Sequence, residues 1–378
     1  MEGVTERRRL SRSLPTLPFD LITQILCRLP VKFLLQFRCV CKSWKSLISD
    51  HKFSKKHLSL STTQTLHFIS QPLNIHSLLK SYSLDSILTN ITQTPFPFPD
   101  SYVLFAGSCN GILCLVNDSI NDSEEDGEDL LVFQLWNPSI RKFKELPPLI
   151  SEPPKYPSMY GFGYDSISDT YKVVVVLGDL THDDLTIDEL MNKVDREVKV
   201  HTLGTDSWKN VSDFPFAFVS YRQFGQHVTG TINWLIFAGI KRVIASFDLG
   251  KECYREVLLP NDSSKVDNNK LLLSVFRDCL CMISGEDVWV MKEFGNKESW
   301  TKLFSISSMR DPRASSYPFI WPIRVFEDEQ VLMIYREDKR WGYISYNYKN
   351  DTSKFLEFEI TRQDMREVCV ESLISPYF

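Results

Sequence analysis

The chain has 378 residues, 43% hydrophobic and 24% charged, with a formal net charge of −5, a composition that excludes disorder, collagen and a coiled coil. No uninterrupted apolar run reaches the ~18 residues of a membrane helix, and Arg7, Arg8, Arg9 and Arg12 are not followed by the apolar segment of a secretory leader, so neither a membrane span nor export is expected. The total charge hides an asymmetry: residues 1–60 hold 12 Lys+Arg against 4 Asp+Glu, whereas residues 61–378 hold 31 against 44, which predicts two modules.

The first module is predicted at 15–58, after a disordered terminus at 1–14. From Leu17 to Ile48 the apolar residues follow a helical period. Leu21, Ile22, Ile25, Leu26 and Leu29 make one stripe, on a helix that Pro18 opens and Leu29-Pro30 closes. A second helix spans Val31 to Phe37, and a third brings Val40, Trp44, Leu47 and Ile48 to one face. Three helices this short cannot bury all of that surface among themselves, because about 40 residues have too little interior. Either the rest of the chain covers it or a partner does.

The run Leu17-Pro18-Phe19-Asp20-Leu21-Ile22, then Ile25 to Lys32, then Leu34-Leu35-Gln36-Phe37-Arg38-Cys39-Val40-Cys41-Lys42-Ser43-Trp44 resembles an F-box of the kind common in large plant families. Gln24 stands where an acid is usual and Phe33 where a small polar residue is usual. The resemblance implies docking on the Skp-type adaptor of a cullin-RING ubiquitin ligase. Carried over by position, it implies adaptor contacts at Leu17, Pro18, Ile25, Leu26, Leu29, Pro30, Leu34, Val40, Cys41 and Trp44. For any one of these, internal helix packing is the competing reading.

Beyond residue 59 the pattern changes to short runs rich in Val, Ile, Phe, Tyr and Trp between Gly, Asn, Asp, Ser and Pro clusters. A polar turn followed by an aromatic, with an apolar residue three positions on, recurs at Phe143, Trp208, Tyr254, Trp300 and Phe355, spaced 65, 46, 46 and 55 residues apart. Before each comes a second hairpin, marked by Gly111, Thr170, Gly230, Asp278 and Glu329 at spacings of 59, 60, 48 and 51. Two registers advancing together indicate four antiparallel strands per unit of about 50 residues, a kelch-type β-propeller blade.

Five units are visible. The short runs near residues 66–79 and the strand Val368–Ile374 are expected to join the two chain ends in a sixth blade that closes the ring without a free edge. A β-sandwich is the alternative. Gly107-Ser108-Cys109-Asn110-Gly111-Ile112-Leu113-Cys114, Leu135-Trp136-Asn137-Pro138-Ser139 and Tyr160 to Asp165 resemble the F-box-associated domain that follows the F-box in those families. The expected fold class is therefore α+β multidomain: a short three-helix F-box, then an all-β kelch-like propeller at 59–378 with six blades.

The sequence lacks the parts of an enzyme. No GxGxxG, P-loop, GxSxG or HExxH occurs. Nine cysteines with no CxxC argue against a disulfide framework or zinc and for a reducing compartment, cytosol or nucleus. Cys279 and Cys281 read as small strand hydrophobes, and the acidic stretches 118–129 and 179–195 lack the calcium-loop spacing. No metal, cofactor, nucleic acid or membrane partner is expected. Gly204-Thr205-Asp206-Ser207-Trp208 reads as a tight turn before a packed aromatic.

Strand alternation puts the long connections 118–129, 148–160, 178–196, 215–225, 260–270 and 307–322 on one side of the ring. Loops on a rigid scaffold are where binding concentrates, and Tyr, Trp and Arg dominate binding hot spots. Tyr156, Phe216, Phe218, Tyr221, Arg222, Arg313, Tyr317 and Trp321 are therefore the candidate anchors for an unidentified protein substrate, each alternatively a plug between blades. The expected function is the substrate-recognition subunit of a Skp-cullin-F-box ligase, without catalytic residues. The competing readings are a carbohydrate-binding or hydrolytic propeller and a scaffold that turns nothing over.

Overall fold

The computed structural model describes residues 17–60, 66–71, 79–83, 91–94, 103–117, 131–150, 156–178, 196–211, 213–216, 223–238, 241–260, 271–305, 319–325, 329–337, 340–360 and 365–377. The chain divides into two compact units after residue 64. The expected terminus at 1–14 lies outside the described residues.

The first unit has four helices, not three: α1 (Phe19–Leu26), α2 (Val31–Phe37), α3 (Lys42–Ile48) and α4 (His51–Leu60). Pro18 and Pro30 precede α1 and α2 with φ of −53° and −55°. There the missing proline N–H costs nothing, since a helix start has no intrahelical acceptor for it. Their carbonyls accept the first helical bonds, from Leu21 N–H at 3.0 Å and Phe33 N–H at 3.0 Å. The helix missed by periodicity, α4, begins where the Asp50 carboxylate accepts the Phe53 N–H at 2.9 Å, a side-chain cap on an otherwise orphaned donor. It buries Phe53, Ser54 and His57, and His57 Nε2 donates to the Leu29 carbonyl at 2.8 Å, which ties α4 to the turn after α1.

The second unit is all β. Its first strands are β1 (Leu66–Gln71), β2 (Leu79–Ser83) and β3 (Ile91–Thr94). Five blades then follow, each from one continuous stretch. The first contains β4 (Val103–Cys109), β5 (Ile112–Asn117), β6 (Val132–Asn137) and β7 (Lys142–Glu145), and the second β8 (Tyr156–Asp165), β9 (Thr170–Gly178), β10 (Glu197–Thr202) and β11 (Trp208–Val211). A two-residue strand, β12 (Gln223–Phe224), pairs in parallel with the inner edge of β8.

The third blade contains β13 (Gln226–Val228), β14 (Thr231–Ala238), β15 (Lys241–Asp248) and β16 (Cys253–Val257), and the fourth β17 (Leu271–Phe276), β18 (Cys279–Ser284), β19 (Asp287–Met291) and β20 (Trp300–Ser305). The fifth contains β21 (Phe319–Val325), β22 (Gln330–Glu337), β23 (Arg340–Asn347) and β24 (Thr352–Ile360). Continuous blades thus number five rather than six. The remaining sheet is composite, in the order β25-β1-β2-β3, with β25 (Met365–Val370) antiparallel to β1 from Leu66↔Val370 to Gln71↔Met365.

The doublet of turns has a backbone cause. Left-handed φ recurs between first and second strands, at Asn110 (53°), Asp169 (56°), Thr229 (45°), Asp278 (57°) and Glu329 (67°). It recurs again between third and fourth strands, at Arg141 (55°), Glu252 (52°) and Asp351 (51°). Tight hairpins require this conformation, and short polar residues tolerate it best. In the second set Asn137, Asp248 and Asn347 use side-chain oxygens to accept backbone N–H groups two residues on, at 2.9, 3.0 and 3.1 Å.

Apolar seams fill the spaces between neighbouring blades. Val174, Val176, Val198 and Val200 of the second blade pack on Ile232, Trp234, Ile236 and Phe247 of the third. The next seam joins Leu235, Ile244 and Val257 to Leu273, Val275, Leu280 and Met282, and the one after joins Cys281, Ile283 and Val290 to Val331, Met333 and Ile344. Each fully buried side chain of this kind contributes ~1.5–3 kcal/mol. Indole N–H groups add staples across the seams: Trp208 Nε1 donates to Pro147 O, Trp234 Nε1 to Tyr160 O and Trp300 Nε1 to Leu258 O, at 2.8, 2.8 and 2.9 Å.

β25 and the residues after it are anchored to the first blade. Asn137 Nδ2 donates to Ser372 O and Ile374 O at 3.1 and 2.8 Å, and Ser108 Oγ donates to Val368 O at 2.8 Å. Gly111, at φ +81°, leaves the room: a Cβ there would stand 2.6 Å from Val370 O and 2.4 Å from Ser372 Oγ.

Candidate functional site

The helical unit separates its apolar residues into two sets. Leu26, Val31, Leu34, Ile48 and Phe53 are buried, at 4% exposure or less. Leu17, Phe19, Leu21, Ile25, Phe33 and Val40 stand between 45% and 60% exposed. Each is large enough that leaving it in water forfeits over 1 kcal/mol, and an exposed apolar group concentrated in so small a unit marks an interaction surface.

The structure sorts the ten carried-over contact residues accordingly. Leu17, Pro18, Ile25, Pro30, Val40 and Cys41 are exposed, while Leu29 and Trp44 are half-buried. Leu26 and Leu34 are buried and belong to the core, a correction that follows from their place on the inner side of α1 and α2. Trp44 packs edge-on against Phe37, with ring centroids 5.6 Å apart, and Val40 lies in the turn before α3 rather than on that helix. Within this face the Cys41 thiol is 3.1 Å from Ser43 Oγ. That hydroxyl, and after it the Trp44 N–H, hold the thiol below its usual range.

The propeller anchors fare differently. Phe218, Tyr221, Arg222, Arg313 and Tyr317 lie outside the described residues, as do the acidic stretches 118–129 and 179–195. Tyr156 and Trp321 are not in connections: Tyr156 opens β8 and Trp321 lies within β21. The connections expected at 148–160 and 307–322 therefore end earlier, and each strand carries a register shift beside a proline, between Pro157 and Met159 and between Pro322 and Arg324. A bulge accommodates the missing donor. Phe216 is a plug: it packs against the seam between the second and third blades, 5.4 Å from Phe214, and its carbonyl accepts from Arg196 at 3.2 Å.

Two polar constellations in the propeller escaped sequence reasoning. Lys172 Nζ, with its side chain 7% exposed, reaches Asp165 and Glu252 at 3.2 Å each and donates to Leu249 O at 2.6 Å. It joins the second blade to a turn of the third. Burial alone would raise the Asp165 pKa, but hydrogen bonds from Ser168 Oγ and the Ile167 N–H, together with Lys172, bring it below the ordinary carboxylate value. Glu252 is lowered in the same way, with Lys209 and Lys172 outweighing its burial.

The other constellation is Cys109 Sγ, 3.5 Å from His227 Nδ1, near Tyr164. Burial pushes the thiol up to about 12 and lowers the imidazole, so both are neutral near pH 7. A neutral thiol is not an activated nucleophile, and the pair joins β4 to β13 as packing.

Two family models match the chain: an F-box domain over residues 14–56 and an F-box associated beta propeller domain over residues 54–375. Among curated proteins, the F-box/kelch-repeat protein At3g23880 of Arabidopsis thaliana is 29% identical over 354 residues, covering 88% of this chain and 88% of that protein. The F-box protein CPR1 of the same plant is 28% identical over 390 residues, covering 96% and 86%, and the F-box protein At4g22390 is 29% identical over 354 residues, covering 84% and 80%. The kelch label expected from the repeat occurs here in a relative's name. With helices ahead of a propeller and both models matched in order, the chain belongs to the plant F-box proteins that carry an F-box associated domain.

Proposed function

We propose that this chain is the substrate receptor of a Skp-cullin-F-box ubiquitin ligase, its helical unit docking a Skp-type adaptor and its propeller holding a protein to be ubiquitinated. The observation that carries the reading is the exposed apolar set Leu17, Ile25 and Val40 on a unit whose core is already occupied by Leu26 and Leu34. The docking contacts are Leu17, Pro18, Ile25, Pro30, Val40 and Cys41, supported at the edge by half-buried Leu29 and Trp44. The mechanism is tethering: a bound substrate is presented to the ubiquitin-loaded enzyme at high effective concentration, and this chain contributes no reacting group.

In this reading the five continuous blades, joined by the composite sheet of β25 with β1 to β3, offer the substrate a rigid platform. The substrate side is the one that bears the long connections. Nine free thiols support the cytosol or nucleus as the setting. The test is capture in cells with the proteasome inhibited. A true client co-purifies with the chain and accumulates on inhibition, and deleting residues 17–48 stops its turnover while preserving capture. Bound partners whose levels ignore inhibition would assign the chain to scaffolding instead.

A further inference from the structure

Apolar docking leaves the positive charge of the helical unit without a role. Residues 17–60 hold eight Lys and Arg against only Asp20 and Asp50, and Asp50 is engaged in capping α4. Arg28, Lys32, Lys42 and Lys45 are exposed, and none of them takes part in an ion pair of the described residues. They interleave with the bare apolar residues: Arg28 follows Ile25 by three positions, Lys32 adjoins Phe33, and Lys42 adjoins Cys41. Four unpaired cations around a low-dielectric apolar surface create a positive potential that reaches about a Debye length into solvent, some 8–10 Å at ordinary ionic strength.

We propose that the surface covering this face is acidic, and that the adaptor is drawn to the helical unit by long-range attraction before Leu17, Ile25 and Val40 engage. This rests on the reading of the unit as the adaptor dock and names the chemistry of what it meets. Exposed apolar residues among the cations favour a protein over a nucleic acid, whose phosphates would leave Ile25, Phe33 and Val40 facing water. Charges at the rim of an interface act on the rate of association, whereas the buried centre sets the rate of dissociation. The two contributions therefore separate kinetically.

The experiment is stopped-flow association and dissociation of the full chain with a purified Skp-type adaptor between 0.05 and 0.5 M NaCl. It is repeated with the variant Arg28→Glu, Lys32→Glu, Lys42→Glu, Lys45→Glu, whose folding is checked by its melting curve. The expected result is an association rate that falls about tenfold or more with salt while the dissociation rate changes less than about threefold. The variant should associate about tenfold more slowly at low salt and converge with the parent at high salt. A salt-independent association rate, or an unaltered variant, overturns the acidic surface and leaves the docking reading standing. An adaptor that fails to bind at every salt concentration refutes the docking reading and this inference with it. Preferential binding of a duplex RNA probe, lost in the variant, overturns the inference by giving the cations to a nucleic acid.

Discussion

Ile25 and Ile232 are the same residue in opposite circumstances. Ile232 is fully buried in the seam between the second and third blades, so tightly that a Cβ on Gly161 would stand 2.4 Å from its Cγ2. Ile25 is 52% exposed on a helix of eight residues. Among the described residues the β unit buries most of its apolar side chains blade against blade, although Phe143, Ile150, Ile167 and Leu258 stand exposed. The helical unit has buried what four short helices can bury and leaves the rest bare. The described blades thus bury most of their apolar surface within the chain, whereas the helical unit leaves a large share of its own in water.

The comparison breaks most severely where the C-terminal segment meets the first blade. Gly111→Val adds a branched side chain at φ +81° against Val370 O and Ser372 Oγ, and should cost ~3–5 kcal/mol through strain and displacement of the tail. Denaturant unfolding followed by tryptophan fluorescence measures it. Adaptor affinity should be unchanged, because the helical unit keeps its own core.

Lys172→Met is expected to cost about 3 kcal/mol, since Asp165 is left buried without its cation while Glu252, more exposed and still paired with Lys209, loses less. A thermal melt should show the drop, and an unchanged midpoint would mean that water replaces the amine freely. Asn137→Ala strands Ser372 O and Ile374 O, and about 2 kcal/mol should be lost. Amide hydrogen exchange should localise the loosening to 371–377.

The smallest expected effect is a pH dependence. Asp165, Glu252 and Asp287 all have folded pKa values below their ordinary ones. The stabilisation they provide is complete above the unfolded carboxylate range near pH 4, and it is lost as pH falls through the lowered folded values. Propeller stability measured from pH 7 down to pH 3 should be flat and then fall on the acid side. A fall beginning near neutrality would place the titrating group elsewhere.

Much of this was legible in sequence where local chemistry forces one backbone. Pro18 located one helix start, Pro30, read as the close of the first helix, stands directly before α2, and the turn doublet was readable because left-handed hairpin positions select polar residues such as Asn110, Asp169 and Asp278. The pairing of the chain ends followed from a strand near Val368 with no neighbour in sequence. Helix α4 escaped because only Phe53 and His57 mark its buried side, although Asp50 three residues before Phe53 was a usable capping signal. Tyr156 and Trp321 were placed in connections because the ranges 148–160 and 307–322 were drawn too long, and only the three-dimensional pairing shows that β8 and β21 begin inside them. The division of the F-box leucines into core and face was not legible, since α1 is apolar on both sides and the sequence cannot say which side meets α2. The Lys172 cluster was also invisible, because its members lie up to 87 residues apart, from Asp165 to Glu252.

The central claim is that the bare face of the helical unit is a docking surface, and equilibrium binding of Ile25→Asp with Val40→Asp to a purified Skp-type adaptor tests it most directly. Both residues are already in water, so the melting midpoint should match the parent, while the dissociation constant should rise by about a hundredfold or more as two carboxylates are forced into an apolar contact. Unaltered affinity in a correctly folded double variant would contradict the account.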